Sequence, residues 1–523
     1  MGRFIASVAL LLLIGAPVPA AAQSSCDALA SLALPDAKVL SAQVVAAGAF
    51  TPPQAGGGGR GGRGGPGGAA AVNPYAKLPE FCRVAATLTP SSDSDIRIEV
   101  WLPATGWNGK FQAVGNGGFA GTIGYPAMAT ALASGYATAS TDTGHVGNNA
   151  NWAPGHPEKV VDFGHRAIHE MAVKGKAIVQ ATYGVAPRRS YFNGCSQGGR
   201  QGITAAQRYP GDFDGIVAGA PAWGGMRLYA ARMALNHAVN TSPAAVIPPA
   251  KYPLIHKAVM NACDARDGVA DGVIENPTQC TFDPQVLACR GEDTSACLTS
   301  EQVASAKMFT TAVKHPVSGQ VVFDGHLWPG SELGWGVLGG PEPNNNVETA
   351  LGNMVFNDPM WDSKTFNPAT DIDRALKFEQ DAAWLSGDPN LKPYFERGGK
   401  LLMYLGWADP QVTPQTAVNY YNNVVKAVGK GDAEKSMALF MVPGMAHCNG
   451  GPGTDTFDKM AALEAWVERG QKPARIVASH LTDGKVDKTR PLCAFGQVAK
   501  WSGKGDTNDA ANFSCVAQSM DVR

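Results

Sequence analysis

The pentapeptide Gly194-Cys195-Ser196-Gln197-Gly198 lies between a stretch typical of a β-strand and a stretch typical of a helix. Residues 190–193 form the strand pattern, and residues 199–209 contain helix formers and end at a proline. A serine on such a tight turn presents its hydroxyl above the sheet, beside free N–H groups at the helix start. The pattern favours a serine nucleophile, but glycine is abundant in this chain and five-residue patterns also occur by chance.

The pentapeptide belongs to a series of alternating strand and helix patterns. Apolar residues alternate over residues 96–102, and further strands are expected at 111–114, 136–141 and 215–220. A helix is expected over residues 161–183, where apolar residues recur at a spacing near 3.6. Strands that alternate with helices predict an α/β fold with a mostly parallel sheet covered on both faces.

The alternation stops near Pro221 and resumes with strands expected at 400–405 and 438–442. The segment between is rich in loops and tryptophans. Because the sheet pattern resumes after it, we interpret residues 222–394 as an insertion into one α/β domain. The predicted domain has two parts, residues 23–221 and 395–523.

Composition excludes several classes of partner. The chain has 523 residues and a net charge of −1, with no basic stripe for nucleic acid and no acidic tail. Residues 55–70 are rich in glycine and arginine and are expected to form a flexible surface loop. An RNA-binding interpretation of this tract is weak, because it holds only two arginines between glycines.

The N-terminus has the pattern of a secretory signal peptide. Arg3 precedes an apolar run at residues 4–15, and Ala20-Ala21-Ala22 forms a small-residue cleavage site. A membrane anchor is the weaker alternative, because the run is too short to span a bilayer. We therefore expect residues 1–22 to be removed and the protein to be secreted or periplasmic, without a membrane span.

Export gives the ten cysteines a structural interpretation, because an even number in an oxidising compartment suggests five disulfide bonds. No C-x-x-C pair occurs, which argues against a zinc ribbon or a thioredoxin-type redox site. Connectivity stays open at this point. Three pairs of sequence neighbours are natural local partners: Cys263 with Cys280, Cys289 with Cys297, and Cys493 with Cys515. Four cysteines are left: Cys26, Cys82, Cys195 and Cys448.

A serine nucleophile needs a base and a third group that orients the base. In hydrolases built on a G-x-S-x-G turn, the acid and then the histidine follow the serine, each after a strand. Asp409 and His447 satisfy this order. Taken alone, Asp409 fits a surface turn better than a catalytic acid, and His447 fits an ordinary loop histidine about as well as a catalytic base.

Two cysteines favour the catalytic interpretation. Cys195 immediately precedes Ser196, and Cys448 immediately follows His447. A bond between them would hold the two backbones close together, because bridged Cα atoms lie only about 4.4–6.8 Å apart. If Cys195 were instead a buried thiol, Cys448 would have no evident partner.

Together, Cys195-Ser196, Asp409 and His447-Cys448 resemble the CS-D-HC motif of the tannase and feruloyl esterase family, which includes a mono(2-hydroxyethyl) terephthalate hydrolase. The likeness covers nearly all of the chain after the predicted signal peptide. It includes the glycine loop at 115–119, the Arg-Gly-Gly-Lys segment at 397–400 and the Arg-Pro-Leu-Cys segment at 490–493.

The resemblance implies an α/β-hydrolase fold with a large inserted lid at 222–394. It implies disulfide bonds Cys26–Cys82 and Cys195–Cys448 beside the three local pairs. It also implies acyl transfer in two steps, with Ser196 as nucleophile, His447 as base and Asp409 as its partner. The backbone N–H of Gln197 and that of Gly118 or Gly117 would bind the oxyanion.

A second group of residues lies in the acidic segment from Cys263 to Val273. Its three aspartates suit a hard cation such as Ca²⁺, although the spacing is not that of an EF-hand. An exposed acidic turn explains the residues equally well. The resemblance implies a structural calcium site in the lid, formed by the side chains of Asp264, Asp267 and Asp271 and the carbonyls of Val269 and Val273.

We therefore expect a serine esterase that hydrolyses esters of hydroxybenzoic, gallic or hydroxycinnamic acids. Within the same scaffold, a terephthalate monoester hydrolase is the alternative. A catalytically silent calcium-stabilised binding protein and a serine peptidase are weaker alternatives. Candidate walls for the aromatic acid are residues 356–361 and Val412, although packing within the lid core explains each of them as well. The expected partner is a small aromatic ester; the sequence predicts no oligomeric state.

Overall fold

The computed structural model describes residues 25–53, 75–323, 327–381 and 387–520. The predicted signal peptide at 1–22 and the predicted glycine-rich loop at 55–70 lie outside the described residues. No membrane-spanning helix is found in the part of the chain that is described.

One sheet organises the described chain. Its nine strands, β1 to β9 in chain order, are Ala37–Val45, Phe81–Leu88, Ile96–Pro103, Lys110–Val114, Ala137–Thr141, Arg189–Cys195, Gly215–Gly219, Lys400–Gly406 and Met437–Val442. In space they follow the order β1-β2-β3-β5-β4-β6-β7-β8-β9. Strands β4 to β9 are parallel, and β1 to β3 extend the sheet with antiparallel pairing. The predicted α/β class and mostly parallel sheet are confirmed.

Helices cover both faces of this sheet, as expected for a parallel sheet. Ala167–Tyr183, Gln197–Arg208 and Pro414–Val428 pack in the core on one face. Tyr125–Ala133 and Lys459–Arg469 pack on the other. The helix expected over 161–183 is interrupted, because Asp162–Arg166 forms a π-helical segment before Ala167.

The remaining α-helices are either short helices of the α/β part or belong to the segment between β7 and β8. In the α/β part they are Pro157–Val161, Lys392–Glu396 and Lys430–Ser436. Between β7 and β8 they are Gly225–Val239, Tyr252–Cys263, Ser300–Phe309, Gly336–Gly339, Asn345–Thr349 and Asp371–Glu379. Two hairpins follow β9, namely Arg475–Thr482 with Lys485–Cys493 and Gln497–Trp501 with Phe513–Ala517.

The long break in the sequence pattern corresponds to a departure from the sheet. Strands β7 and β8 are neighbours, with Gly215 opposite Lys400, so the chain between them leaves the sheet and returns beside its point of departure. Part of this segment packs on Phe119 and Phe163 near the glycine loop. Tyr394 already belongs to the core of the sheet. The exact limits of the lid, 222 and 394, remain a prediction.

Five disulfide bonds link the described chain: Cys26–Cys82, Cys195–Cys448, Cys263–Cys280, Cys289–Cys297 and Cys493–Cys515. This is the pairing that the family resemblance implies. All ten cysteines of the sequence are accounted for by these bonds.

A buried carboxyl group follows β5 and couples stability to pH. Asp142 is 6% exposed, and its Oδ1 accepts the N–H groups of Arg97 and Gly144. Burial raises the pKa of Asp142 to about 7. The unfolded chain releases this proton near pH 4, so the folded state loses stability as the pH rises from about 4 through 7.

Asp142→Asn keeps a carbonyl acceptor for both N–H groups and removes the charge. We expect it to raise the free energy of unfolding at pH 8 by about 2–4 kcal/mol, with the gain shrinking as the pH falls toward 4. Urea unfolding of both proteins at pH 4, 6 and 8 measures this difference. An equal effect at pH 4 and pH 8 would contradict the assignment.

Candidate active site

Ser196 lies on the sharp turn between β6 and the helix Gln197–Arg208. Its backbone has φ 63° and ψ −121°, a conformation that is strained for a residue with a side chain. The surrounding backbone maintains it: the Ser196 N–H donates to the carbonyl of Gly219 at 2.9 Å, and its carbonyl accepts the N–H of Arg200 at 3.1 Å. The strained turn holds the Ser196 hydroxyl clear of the strand.

The two glycines of the pentapeptide are required by close backbone contacts. A Cβ at Gly194 would come within 2.6 Å of the Gly198 backbone, so strand and helix could not approach as they do. A Cβ at Gly198 would lie 3.0 Å from the carbonyl oxygen of Asn116. The start of the helix therefore packs directly on the glycine loop at 115–119.

His447 lies within hydrogen-bond distance of Ser196 on one side and of Asp409 on the other. Nε2 of His447 is 2.8 Å from Oγ of Ser196, and Nδ1 of His447 is 2.7 Å from Oδ2 of Asp409. Asp409 and His447 follow β8 and β9, whose carboxyl ends meet at the same edge of the sheet as that of β6. The structure thus brings together the three residues that the sequence predicts.

Backbone contacts hold the Asp409 carboxylate in place. Asp409 is fully buried, and its Oδ1 accepts the N–H groups of Gln411 at 2.7 Å and Val412 at 2.9 Å. The other oxygen is left to face His447. Such an arrangement can keep a proton on Nδ1 of His447 and leave Nε2 free to accept the serine proton.

The bond between Cys195 and Cys448 joins the neighbours of Ser196 and His447. The two Cα atoms are 6.0 Å apart, and Cys448 adopts a positive φ of 66°. Since each cysteine is adjacent to one of the hydrogen-bonded residues, the bond limits how far the Ser196 and His447 backbones can separate.

Backbone N–H groups beside Ser196 form a candidate oxyanion site. Gln197 is the first residue of its helix, where an N–H group has no intrahelical acceptor. Gly117 and Gly118 line the same cavity, and Gly118 has a positive φ of 54°. Asn116 anchors this loop, because its N–H and side-chain oxygen bond the amide group of Gln201.

A cavity of about 280 Å³ opens over Ser196 and His447. Its lid side is formed by Leu228, Tyr229, Arg232, Val337, Asn344 and Asn346. Val412, a predicted wall residue, also lines it. Phe356 and Trp361 do not: their rings pack on each other at 4.9 Å, within the lid. For this pair the alternative of lid packing was the correct one.

Sequence reasoning missed the side chains that Gly225–Val239 presents to the cavity. Leu228, Tyr229 and Arg232 share one face of this helix because residues three or four apart lie together. That spacing was the only available signal, and it does not tell which face meets the cavity.

The acidic segment forms a loop closed by the Cys263–Cys280 bond. Asp264 accepts the N–H groups of Asp271 and Gly272, and Asp267 accepts that of Val269. One oxygen of Asp271 forms ion pairs with two basic side chains of the first C-terminal hairpin, Lys488 and Arg490.

Carboxylates and backbone carbonyls within one closed loop are donor types that Ca²⁺ prefers. The ligand oxygens of the three aspartates do not, however, all lie within 4.8 Å of one another in the described chain. The ion pairs of Asp271 with Lys488 and Arg490 neutralise this carboxylate without a metal ion. A different cluster, Cys289, Asp293 and Cys297, has its potential ligand atoms within 4.8 Å of one another in the described chain. Its cysteines are bonded to each other and cannot bind a metal.

Residues 82–516 match the family described as Tannase and feruloyl esterase. The chain belongs to this family. It is 37% identical to an uncharacterized esterase of Xanthomonas campestris pv. campestris, over 95% of this chain and 92% of that protein. It is 32% identical to the mono(2-hydroxyethyl) terephthalate hydrolase of Piscinibacter sakaiensis, over 86% of this chain and 87% of that enzyme.

A solved structure agrees with this assignment. The crystal structure of feruloyl esterase B from Aspergillus oryzae superposes with a TM-score of 0.84 at 29% identity, covering 94% of this chain and 99% of that one. The predicted α/β-hydrolase fold is confirmed. As a member of the tannase and feruloyl esterase family with esterases among its relatives, the protein is a carboxylic ester hydrolase, and the alternative of a catalytically silent binding protein falls away.

Proposed function

We propose that this esterase is an exported enzyme that cleaves esters of aromatic carboxylic acids through Ser196, His447 and Asp409. The observation that carries the proposal is the hydrogen-bonded chain from Oγ of Ser196 through both ring nitrogens of His447 to Asp409. A nucleophile, a base and an orienting acid in this order are the groups that acyl transfer requires.

In the first step, Oγ of Ser196 attacks the ester carbonyl carbon while Nε2 of His447 takes the hydroxyl proton. Asp409 stabilises the resulting imidazolium. The tetrahedral intermediate collapses, and His447 returns the proton to the leaving alcohol. A water molecule then attacks the acyl-enzyme with His447 again as base, which releases the acid and restores Ser196.

Negative charge on the former carbonyl oxygen would be bound by the N–H of Gln197 and by that of Gly117 or Gly118. These groups are supplied by a helix start and by a loop that Asn116 anchors to Gln201, so they are in place before the charge develops. One such donor is typically worth about 2.7–4 kcal/mol of barrier.

The preference for an aromatic acid is supported by the walls of the cavity. Leu228, Tyr229, Val337 and Val412 offer apolar surface, and amide side chains lie between them and the glycine loop. Pockets for small aromatic ligands combine such walls with a few polar groups. The relatives named as feruloyl esterase and terephthalate monoester hydrolase point to the same substrate class.

The test is a hydrolysis panel of methyl gallate, methyl ferulate and mono(2-hydroxyethyl) terephthalate, with methyl butyrate as the non-aromatic control. We expect kcat/KM for at least one aromatic ester to exceed that for methyl butyrate by about tenfold or more, since a single methylene group in an apolar pocket is already worth about tenfold. A preference for methyl butyrate would remove the proposed substrate class and leave the esterase assignment intact.

Export is the second part of the proposal. It is supported by the five disulfide bonds, which persist in oxidising compartments, and by the signal-peptide pattern of residues 1–22. Mass spectrometry of the mature N-terminus, purified from the producing cell, tests it: cleavage after residue 22 is expected, and an intact Met1 would contradict it.

We also propose that the acidic loop binds a structural calcium ion. The side chains of Asp264, Asp267 and Asp271 and the carbonyls of Val269 and Val273 would hold it, and the ion would neutralise three neighbouring carboxylates. The proposal is supported by the oxygen-only donor set and by the disulfide bond that closes the loop.

Removal of calcium with EDTA is expected to lower the melting temperature by roughly 3–5 °C, because a ligand bound only by the folded state stabilises it. Excess Ca²⁺ should restore the value and Mg²⁺ should not. Asp267→Asn should abolish the response, whereas Glu292→Gln, at an exposed acidic residue elsewhere in the lid, should keep it. Differential scanning calorimetry measures each case; equal melting with EDTA and with Ca²⁺ would exclude the ion.

A further inference from the structure

One side chain in the active-site cavity carries a permanent charge. Of the described residues that line the cavity, Arg232 is the only arginine or lysine, and no aspartate or glutamate faces it there. The remaining polar groups are amides, hydroxyls and the His447 ring. Among the described residues that line the cavity, Arg232 thus supplies the one permanent positive charge that can attract a ligand of negative charge.

Arg232 has no acceptor of its own in the described chain. It makes no hydrogen bond and no ion pair there, and its Nε is buried without a partner. Its close aromatic neighbour is Tyr229, whose ring centre is 5.8 Å from the guanidinium carbon. By contrast, Arg227 on the same helix pairs with Glu379, and buried Arg200 donates to Gln197 and to two backbone carbonyls.

The nearby carboxylate of Asp409 does not serve as this partner, because no hydrogen bond or ion pair joins it to Arg232 in the described chain. Asp409 attracts Arg232, but both of its oxygens are occupied, one by two backbone N–H groups and the other by His447. Burial lowers the pKa of Arg232, yet a guanidinium stays charged in proteins. The Nε of Arg232 is buried without a partner while the side chain lines the cavity over Ser196. An unpaired buried donor is costly, so this arrangement is best explained by an acceptor that arrives with the substrate.

We propose that Arg232 binds a carboxylate of the substrate, so that the preferred esters carry a free carboxylate in addition to the ester group. The proposal rests on the proposed function of Ser196 as nucleophile. A guanidinium presents two parallel N–H donors that match a carboxylate, whereas a neutral hydroxyl or methyl ester would leave its charge uncompensated. The carboxylate belongs either to the acyl half or to the alcohol half of the ester.

Two pairs of esters separate these halves. Monomethyl terephthalate and methyl 4-carbamoylbenzoate differ only in a carboxylate or amide on the acyl ring. Benzoyloxyacetate and benzoyloxyacetamide differ only in a carboxylate or amide on the alcohol half of the ester. We expect kcat/KM to favour the carboxylate member of one pair by about tenfold to 100-fold, the range for hydrogen bonds to charged groups.

Arg232→Gln should reduce this charged-to-neutral ratio to about one. Arg469→Gln is the matched control, because it removes one positive charge at an exposed site on the C-terminal helix. It should keep the wild-type ratio. A purely structural role of Arg232 beside Tyr229 would instead lower the rates of both members of a pair equally.

A binding measurement separates this proposal from the proposed function. Calorimetry with Ser196→Ala and with Ser196→Ala combined with Arg232→Gln compares the affinity for monomethyl terephthalate and for benzoyloxyacetate, without any turnover. We expect one ligand to bind about tenfold or more tightly when Arg232 is present. Equal affinities, or the same charged-to-neutral ratio in the wild type and in Arg232→Gln, would overturn the role of Arg232. Ester hydrolysis that survives Ser196→Ala while the binding difference stays intact would overturn only the nucleophilic role.

Discussion

Replacement of Ser196 by alanine is expected to lower kcat for methyl ferulate by roughly 10⁴–10⁶-fold, the range found when a serine nucleophile is removed from a complete set of catalytic groups. The reason is geometric. Oγ of Ser196 is the atom that His447 contacts at 2.8 Å, and alanine offers no atom to form the acyl-enzyme. The residual rate would come from substrate binding and the oxyanion donors alone.

The fold should survive this change. Both serine and alanine carry a Cβ, so the strain at φ 63° is the same, and the backbone contacts to Gly219 and Arg200 involve no side chain of residue 196. The melting temperature should therefore stay close to the wild-type value. Ser134→Ala, at an exposed serine that ends a helix on the sheet, is the matched control and should keep full activity.

Combined variants test whether the three residues act as one unit. Asp409→Asn should lower kcat by about 10⁴-fold, because an amide favours the wrong proton arrangement on His447. Ser196→Ala combined with His447→Ala should be no slower than Ser196→Ala alone. Ester hydrolysis that survives Ser196→Ala at the wild-type rate would refute the mechanism, whatever the effect of Asp409→Asn.

The main elements of the site could be predicted from the sequence because each lies at the end of a parallel strand. Ser196, Asp409 and His447 follow β6, β8 and β9, and strands of this kind direct their carboxyl ends to one edge. The order of the three residues along the chain and the cysteines beside two of them completed the prediction that they form one site. The order of the strands in the sheet could not be predicted, because no local sequence signal shows that β5 lies between β3 and β4.

The substrate side of the site could not be predicted in the same way. Tyr229 and Arg232 come from an inserted helix whose orientation depends on how the whole insertion packs against the glycine loop. The aromatic side chains of Phe356 and Trp361 suggested walls for an aromatic substrate, yet their rings pack on each other within the lid. Periodicity identifies a helix face but not its neighbour.

Loss of the Cys195–Cys448 bond is expected to reduce both stability and activity. The bond closes a loop of 253 residues, so its removal by Cys195→Ala with Cys448→Ala should lower the free energy of unfolding by about 2–5 kcal/mol. It should also lower kcat/KM by about 100-fold, because the contact between Ser196 and His447 would no longer be held and a shift of about 1 Å can cost that much.

The Cys289–Cys297 bond provides the matched control. It closes only 8 residues within the insertion and touches none of the three hydrogen-bonded residues, so Cys289→Ala with Cys297→Ala should cost less stability and keep kcat/KM near the wild-type value. Urea unfolding and ester kinetics at a temperature where all variants are folded separate the two effects. If the two double variants lost activity equally, the role of the Cys195–Cys448 bond would be stability alone, and the position of His447 would depend on the contacts of its loop with β8 and Asp409.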